Sequence, residues 1–190
     1  MRVIGIAGPS CSGKTTIAQL LADALDAQII SADLTYIRGS DRPLVEGEDG
    51  VLYDSFERPE LYDHERIAQL LTELSSKDSS TITLLDWETK ENYDVEVSAQ
   101  RPVIIEGFGL YTHERLASLI SERYWIDVDI TETIRRRLAR GGRKSDHAYA
   151  QIARAEQKWI EGQKDVPGVI VLDGTKPIDV LFNEVLMHSG

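Results

Sequence analysis

An apolar run, Val3-Ile4-Gly5-Ile6-Ala7, leads directly into Gly8-Pro9-Ser10-Cys11-Ser12-Gly13-Lys14-Thr15. After it, apolar residues recur at helical spacing: Ile17, Leu20, Leu21, Ala24 and Leu25. Gly8, Gly13, Lys14 and Thr15 stand at the separations of a Walker A phosphate loop, and strand before and helix after is the context such a loop needs. Glycine lets the backbone curl around phosphate oxygens without an obstructing Cβ. The amides of the loop and first helical turn face the anion, helped by the helix dipole. The predicted ATP-binding set is therefore Gly8, Ser10, Cys11, Ser12, Gly13, Lys14, Thr15 and Thr16. Lys14 is placed to reach the β- and γ-phosphates, and the Thr15 hydroxyl to ligate Mg²⁺. Cys11 reads as a small loop-lining residue rather than a nucleophile. A Gly/Ser turn that merely resembles this loop is the alternative; pattern, strand and helix together speak against it.

The rest of the chain alternates strands and helices. Strands are expected at about 27–31, 81–85, 94–97, 102–107, 124–128 and 169–172, and helices at about 62–74, 114–121, 131–139, 146–161 and 178–187. The pair at 81–97 suits a small hairpin around Lys90-Glu91-Asn92. Residues 37–60 hold Gly39, Pro43, Gly47, Gly50 and Pro59 among many acids and read as turns with little core. The expectation is an α/β fold: a P-loop NTPase-type three-layer sandwich with a mainly parallel five-stranded sheet covered on both faces. At 190 residues the chain suits a single kinase-type domain, 1–190, with a substrate-side excursion at about 34–60 and 81–98 and a lid at about 135–146.

A formal net charge of −11 argues against a general nucleic-acid-binding surface, while a local basic cluster can still take a phosphorylated ligand. Cys11 is the single cysteine, which excludes an internal disulfide and a thiolate metal cluster within one chain. With no signal-like start and no apolar run of membrane-spanning length, a cytoplasmic protein without a membrane partner is expected, as monomer or homodimer.

Two acids fall at predicted strand ends: Asp33 after the second strand, and Glu106 after Val103-Ile104-Ile105. In a parallel sheet both emerge at the edge that carries the phosphate loop. One can take the proton of an attacking hydroxyl and the other can hold Mg²⁺, because phosphoryl transfer rests mainly on positioning and charge neutralisation. For each, a structural acid at a strand or helix end is the plainer alternative. Arg135, Arg136, Arg137, Arg140, Arg143 and Lys144 form the one dense basic cluster, broken by Gly141-Gly142. Helical spacing sets Arg136, Arg140 and Arg143 along one side, with Arg137 facing partly elsewhere. Such a segment can close over ATP and neutralise the migrating charge; a solvated basic helix is the alternative. Adenine is expected against the lid and Gly174-Thr175-Lys176-Pro177, where Gly174 permits close backbone approach.

These residues resemble the family of uridine kinases, nicotinamide riboside kinases and phosphoribulokinases. The likeness runs through residues 8–18, through Ser31-Ala32-Asp33-Leu34-Thr35-Tyr36, through Ser55 to Asp63, through Val103 to Phe108, and through the arginine-rich stretch Ile134 to Arg143. It implies strand order 2-3-1-4-5. It also implies ATP and Mg²⁺ as cofactors and γ-phosphate transfer to a small-molecule hydroxyl, foremost the 5'-hydroxyl of a nucleoside or riboside. By this resemblance Asp33 is the catalytic base and Arg136, Arg140 and Arg143 are the lid residues; with Lys14 and Gly174 read from their loops, Lys14, Arg136 and Arg140 are expected to serve catalysis, and Arg136, Arg140, Arg143 and Gly174 to hold the nucleotide. Tyr36, Glu57, Trp87 and Glu106 join Asp33 around the acceptor, while Thr15 and Glu106 serve the metal. Two departures stand out. Glu57 replaces the family's sugar-binding aspartate, moving the carboxylate by about one carbon–carbon bond. Leu85-Asp86-Trp87 replaces the Tyr-Asp-Phe stretch of the pyrimidine nucleoside kinases, and no nearby histidine follows. Trp87 can stack on a base, but the hydrogen bonds that would select a pyrimidine are not provided. A nucleotide or coenzyme-precursor kinase, and a regulatory P-loop protein without an acceptor, are the alternatives.

Overall fold

The computed structural model describes residues 1–37, 42–141 and 146–188. In chain order the elements are β1 (Val3–Ala7), α1 (Lys14–Leu25), β2 (Gln28–Ser31), β3 (Leu44–Glu46), β4 (Leu52–Asp54), α2 (His64–Leu74), β5 (Ser79–Leu85) and β6 (Asn92–Ser98). They continue with β7 (Val103–Gly107), α3 (Glu114–Leu119), β8 (Glu122–Asp127), α4 (Ile130–Arg140), α5 (Asp146–Glu161), β9 (Val169–Asp173) and α6 (Ile178–His188).

Every residue of β1 and β7 is buried, the pattern of strands covered on both faces. They pair in parallel at the centre of a five-stranded sheet ordered β2-β7-β1-β8-β9, and all four ladders are parallel. Counted along the chain within that sheet, the order is 2-3-1-4-5, as the resemblance implies. On one face α1 (Ile17, Ala18, Leu21) and α6 (Leu181, Val185) cover Ile4, Ile6, Ile104 and Tyr124. On the other, α2 (Ile67, Leu71) and α3 (Leu116), joined by Ile82 and Leu84 of β5, cover Val3, Ile105 and Trp125. Each such aliphatic side chain contributes about 1.5–3 kcal/mol by leaving water. The layers close tightly at Gly5, where a Cβ would come within 2.9 Å of the Ile120 side chain. Among the described residues no helix is long and apolar enough to cross a membrane.

Outside the sheet stand two antiparallel hairpins. β5 and β6 pair from Ser79↔Ser98 to Leu85↔Asn92. Asp86 shapes their turn by accepting the amides of Glu88 at 2.7 Å and Thr89 at 3.1 Å. The second hairpin, β3–β4, corrects the reading of 37–60 as turns alone. Its strands are only three residues long, and Leu44 and Leu52 are exposed, so neither the length nor the alternation of a buried strand marks it. The turn at 46–51 holds it in register: Gly47 N donates to Val51 O at 2.9 Å, and Gly50 takes the left-handed φ of +74°.

Candidate active site

The phosphate loop leaves β1 at its C-terminal end and enters α1 through Gly13, whose φ of +105° only glycine adopts without strain. At Gly8 a Cβ would meet the carbonyl of Ile126 at 2.7 Å, so the loop lies against β8 with no room for a side chain there. Cys11 sits at φ +60° and is partly exposed. Lys14 is buried and its Nζ donates to Pro9 O at 3.0 Å, folding the ammonium back across the loop. A cavity of about 250 Å³ is bordered by Cys11, Lys14, Thr15, Thr16, Arg136 and Arg140. Among the described residues the buried Ser12 hydroxyl finds no hydrogen-bond partner. A backbone cradle closed to side chains, a cation folded across it and a spare buried hydroxyl fit a nucleotide phosphate chain.

The two strand-end acids stand beside this loop. Glu106 is buried and in register with Ser31 on β2. Its carboxylate accepts Ser31 Oγ at 2.5 Å and Thr15 Oγ1 at 3.2 Å. Burial pushes its pKa up against the opposing pull of Lys14, with Asp33 adding to the rise and the two hydroxyls moderating it. A hydroxyl beside a water-depleted carboxylate is a hard oxygen donor set of the kind Mg²⁺ takes. Asp33 lies one turn beyond β2 and its Oδ1 accepts Phe108 N at 3.3 Å, next to Gly107, where a Cβ would come within 2.8 Å of Ala32 Cβ and 3.1 Å of that same Oδ1. The glycine after Glu106 thus lets Asp33 lie close to the end of β7.

The residues expected at the acceptor come from several segments. Tyr36 bridges Tyr62 in an antiparallel contact, and their rings meet edge-on at 5.9 Å. Tyr36 also lies 5.1 Å from the half-exposed Trp87, which Lys90 covers at 4.7 Å. Glu57 is half-buried, and loss of water around its carboxylate is the first cause that raises its pKa to about 7. Repulsion from Glu156 and Asp33 adds to this, while Lys14 and Arg137 oppose it. Glu57 is thus electrostatically joined to the phosphate loop and to Asp33.

Of the arginines, Arg136 donates from Nε to Glu132 at 2.7 Å and from Nη2 to Gly174 O at 3.0 Å. Arg140 borders the cavity. Gly142, Arg143 and Lys144 lie outside the described residues. Gly174 does meet a neighbour closely, but that neighbour is the exit of β8: a Cβ there would come within 2.4 Å of Val128 Cγ2, just past the strand, and 2.8 Å of Asp127 O at its end.

Three residues absent from the predicted set line the same region. Arg137 holds its guanidinium 5.5 Å from the Tyr149 ring and is felt by Glu57. Tyr149 and Glu156 both project from α5. Glu156 is fully buried and accepts the Ser55 hydroxyl and, at 3.2 Å, the Glu57 amide. One signal for Glu156 was available. It falls in line with the buried Ile152, Ala153 and Ile160, and an acid on a helix's apolar stripe needs a partner.

Residues 3–171 match the model of the phosphoribulokinase/uridine kinase family. A uridine kinase of Limosilactobacillus reuteri is 29% identical over 99% of this chain and 93% of its own length. One from Aeromonas salmonicida is 29% identical over 97% and 94% respectively. Among solved structures, a possible uridine kinase from Bacillus stearothermophilus superposes with TM-score 0.59 at 19% identity, covering 90% of this chain and 88% of that one. A putative fructose transport system kinase from Silicibacter reaches 0.63 at 18%, covering 90% and 89%. At those identities the structural likeness speaks for the fold alone. With its phosphate loop, strand-end acids and five-stranded order in place, the chain belongs to the phosphoribulokinase/uridine kinase family.

Proposed function

We propose that this protein phosphorylates a hydroxyl of a small ribosyl acceptor, foremost the 5'-hydroxyl of a nucleoside or riboside, with Asp33 as base and Glu57 as acceptor anchor. Family membership makes the chain an ATP-dependent phosphotransferase acting on a small-molecule hydroxyl. The observation that supports the finer reading is that the Glu57 carboxylate lies within electrostatic range of both Lys14 and Asp33, so that a sugar-binding type of carboxylate stands in the neighbourhood of the phosphate loop. In this reading residues 34–60 and 81–98 form the acceptor side, and 135–146 the lid.

Mg²⁺, held through Thr15 and Glu106, would neutralise phosphate charge when bound. Asp33 takes the proton of the acceptor hydroxyl as its oxygen bonds to the γ-phosphorus. The bond from that phosphorus to the bridging oxygen breaks, and ADP leaves. Lys14, Arg136 and Arg140 neutralise charge on the nucleotide side, while Glu57 holds neighbouring hydroxyls so that the attacking oxygen stays aligned. Cys11, Gly13 and Thr16 shape the nucleotide side, and Tyr36 and Trp87 wall the acceptor.

Arg137 near Glu57 favours a second reading, an acceptor that already carries a phosphate, as in a nucleotide or coenzyme-precursor kinase. An ATP-turnover screen over nucleosides, ribosides, sugars and their monophosphates, with products identified by mass, tests both. A product heavier by one phosphate on a riboside supports the ribosyl reading. Turnover confined to monophosphates replaces it with the second.

A further inference from the structure

Tyr149 projects from the first half of α5, and among the described residues its hydroxyl oxygen is buried without a hydrogen-bond partner. Ser12, in the phosphate loop, is another buried hydroxyl in that condition. The surroundings of the Tyr149 hydroxyl are specific. Ser10 lies close enough to favour the phenolate weakly without meeting strict hydrogen-bond geometry, and Glu57, Cys11 and Arg137 also act on the group. Ser10 and Cys11 belong to the loop that encircles the nucleotide phosphates, and Glu57 belongs to the acceptor side. The oxygen therefore stands on the boundary between the two halves of the site, where a phosphoryl group passes from one to the other.

Chemistry selects what it meets there. A phenol in such a place keeps its proton, because burial and the Glu57 charge both oppose ionisation. It can therefore donate to an anionic oxygen. Buried donors are paired in native proteins, and an unpaired one beside a phosphate loop is free to take an anionic oxygen. Arg137, stacked over the same ring at 5.5 Å, adds the cation that an anionic group at this spot requires.

Resting on the kinase reading above, we infer that the Tyr149 hydroxyl is a γ-phosphoryl-binding group, donating a hydrogen bond to the transferred phosphoryl while Arg137 neutralises it. Tyr149→Phe removes the hydroxyl alone and leaves the ring beneath Arg137. The test is calorimetric titration of parent and variant with Mg-ADP and with the β,γ-imido analogue of Mg-ATP, neither of which needs an identified acceptor. The expected result is unchanged affinity for ADP and about tenfold weaker binding of the analogue, the size of one hydrogen bond to a charged group. Equal analogue affinity in parent and variant overturns the inference while leaving the kinase reading intact. An equal loss for ADP and analogue also overturns it, because the hydroxyl then serves the loop rather than the γ-position. If the parent binds neither nucleotide, the kinase reading fails first and this inference with it.

Discussion

Ser31 and Glu106 are partners in register on adjacent parallel strands, and their side chains meet at 2.5 Å. The same carboxylate takes the Thr15 hydroxyl on its other oxygen. A buried acid is thus fixed from the sheet on one side and from the nucleotide helix on the other. Ser31→Ala removes the sheet-side donor and lets burial push the Glu106 pKa higher. Loss of one hydrogen bond to a charged group is worth about 1.5–3 kcal/mol. The Mg²⁺ concentration giving half-maximal turnover at fixed ATP should rise about tenfold or more, which a metal titration of rate measures. An unchanged titration would separate Glu106 from the metal.

Lys14 is buried yet bonded to a loop carbonyl rather than packed in the core clusters. Lys14→Ala should therefore lower turnover by about 10²–10³, the scale of losing one charge-stabilising donor, with the circular-dichroism melt little changed. Near-normal turnover at saturating Mg-ATP would contradict its phosphate role.

Asp33→Asn keeps the amide acceptance of Phe108 and removes the proton acceptor. The expectation is a fall in kcat of about 10²–10⁴ with ATP affinity intact. Binding titration beside steady-state kinetics separates the two quantities. A parallel loss of ATP affinity would make Asp33 a nucleotide-side residue instead.

The Glu57 carboxyl, raised to about 7, has a consequence that can be read as heat stability. An acid whose folded pKa lies above its unfolded value contributes stability at low pH and loses it as pH rises through the folded pKa. Wild-type protein therefore bears the cost of a poorly solvated charge above pH 7, and Glu57→Gln does not. The variant should gain in melting temperature relative to wild type at pH 8 and much less at pH 5. The same substitution should raise the acceptor KM and remove a rise in kcat/KM near pH 7, because only ionised Glu57 accepts from hydroxyls on both oxygens. Equal melting differences at both pH values would mean that Glu57 is well solvated.

Glu156→Ala leaves the Ser55 hydroxyl and the Glu57 amide without their acceptor. Each such orphan costs about 1–3 kcal/mol, so a melting point several degrees lower is expected, together with a higher acceptor KM. Glu156→Gln, which keeps an acceptor oxygen, should recover most of both. If it recovers stability but not KM, the charge of Glu156 rather than its oxygen sets the acceptor segment.

The parallel sheet and the phosphate loop were readable because their signals are local. Val3 to Thr15 is one contiguous strand and loop, Glu106 stands within the fully buried β7, and Asp33 comes two residues after β2, whose apolar pair Ile29-Ile30 marks it although only Ile30 is buried. The surroundings of Glu57 are assembled from residues far apart in sequence. Leu44 and Leu52 face solvent, so β3 and β4 show no apolar alternation to find. Arg137 sits among other arginines, and helical spacing divides them by face without saying which face meets the acceptor. Tyr149 acquires its meaning from Ser10, 139 positions earlier, and Glu156 from Ser55, 101 positions earlier, and no periodicity carries that information.

Tyr149 and Glu156 are spaced along α5 by about 10 Å of helix rise, one at the phosphate loop and the other beneath the acceptor segment. On the assignments proposed above, these two handles belong to one stiff rod, so the nucleotide and acceptor pockets are tuned together. A ligand that favours one position of the rod biases the other pocket, and thermodynamic reciprocity makes that bias equal in both directions. Changes of acceptor preference in such a protein can therefore arise on this helix, with every residue that touches the acceptor left as it was.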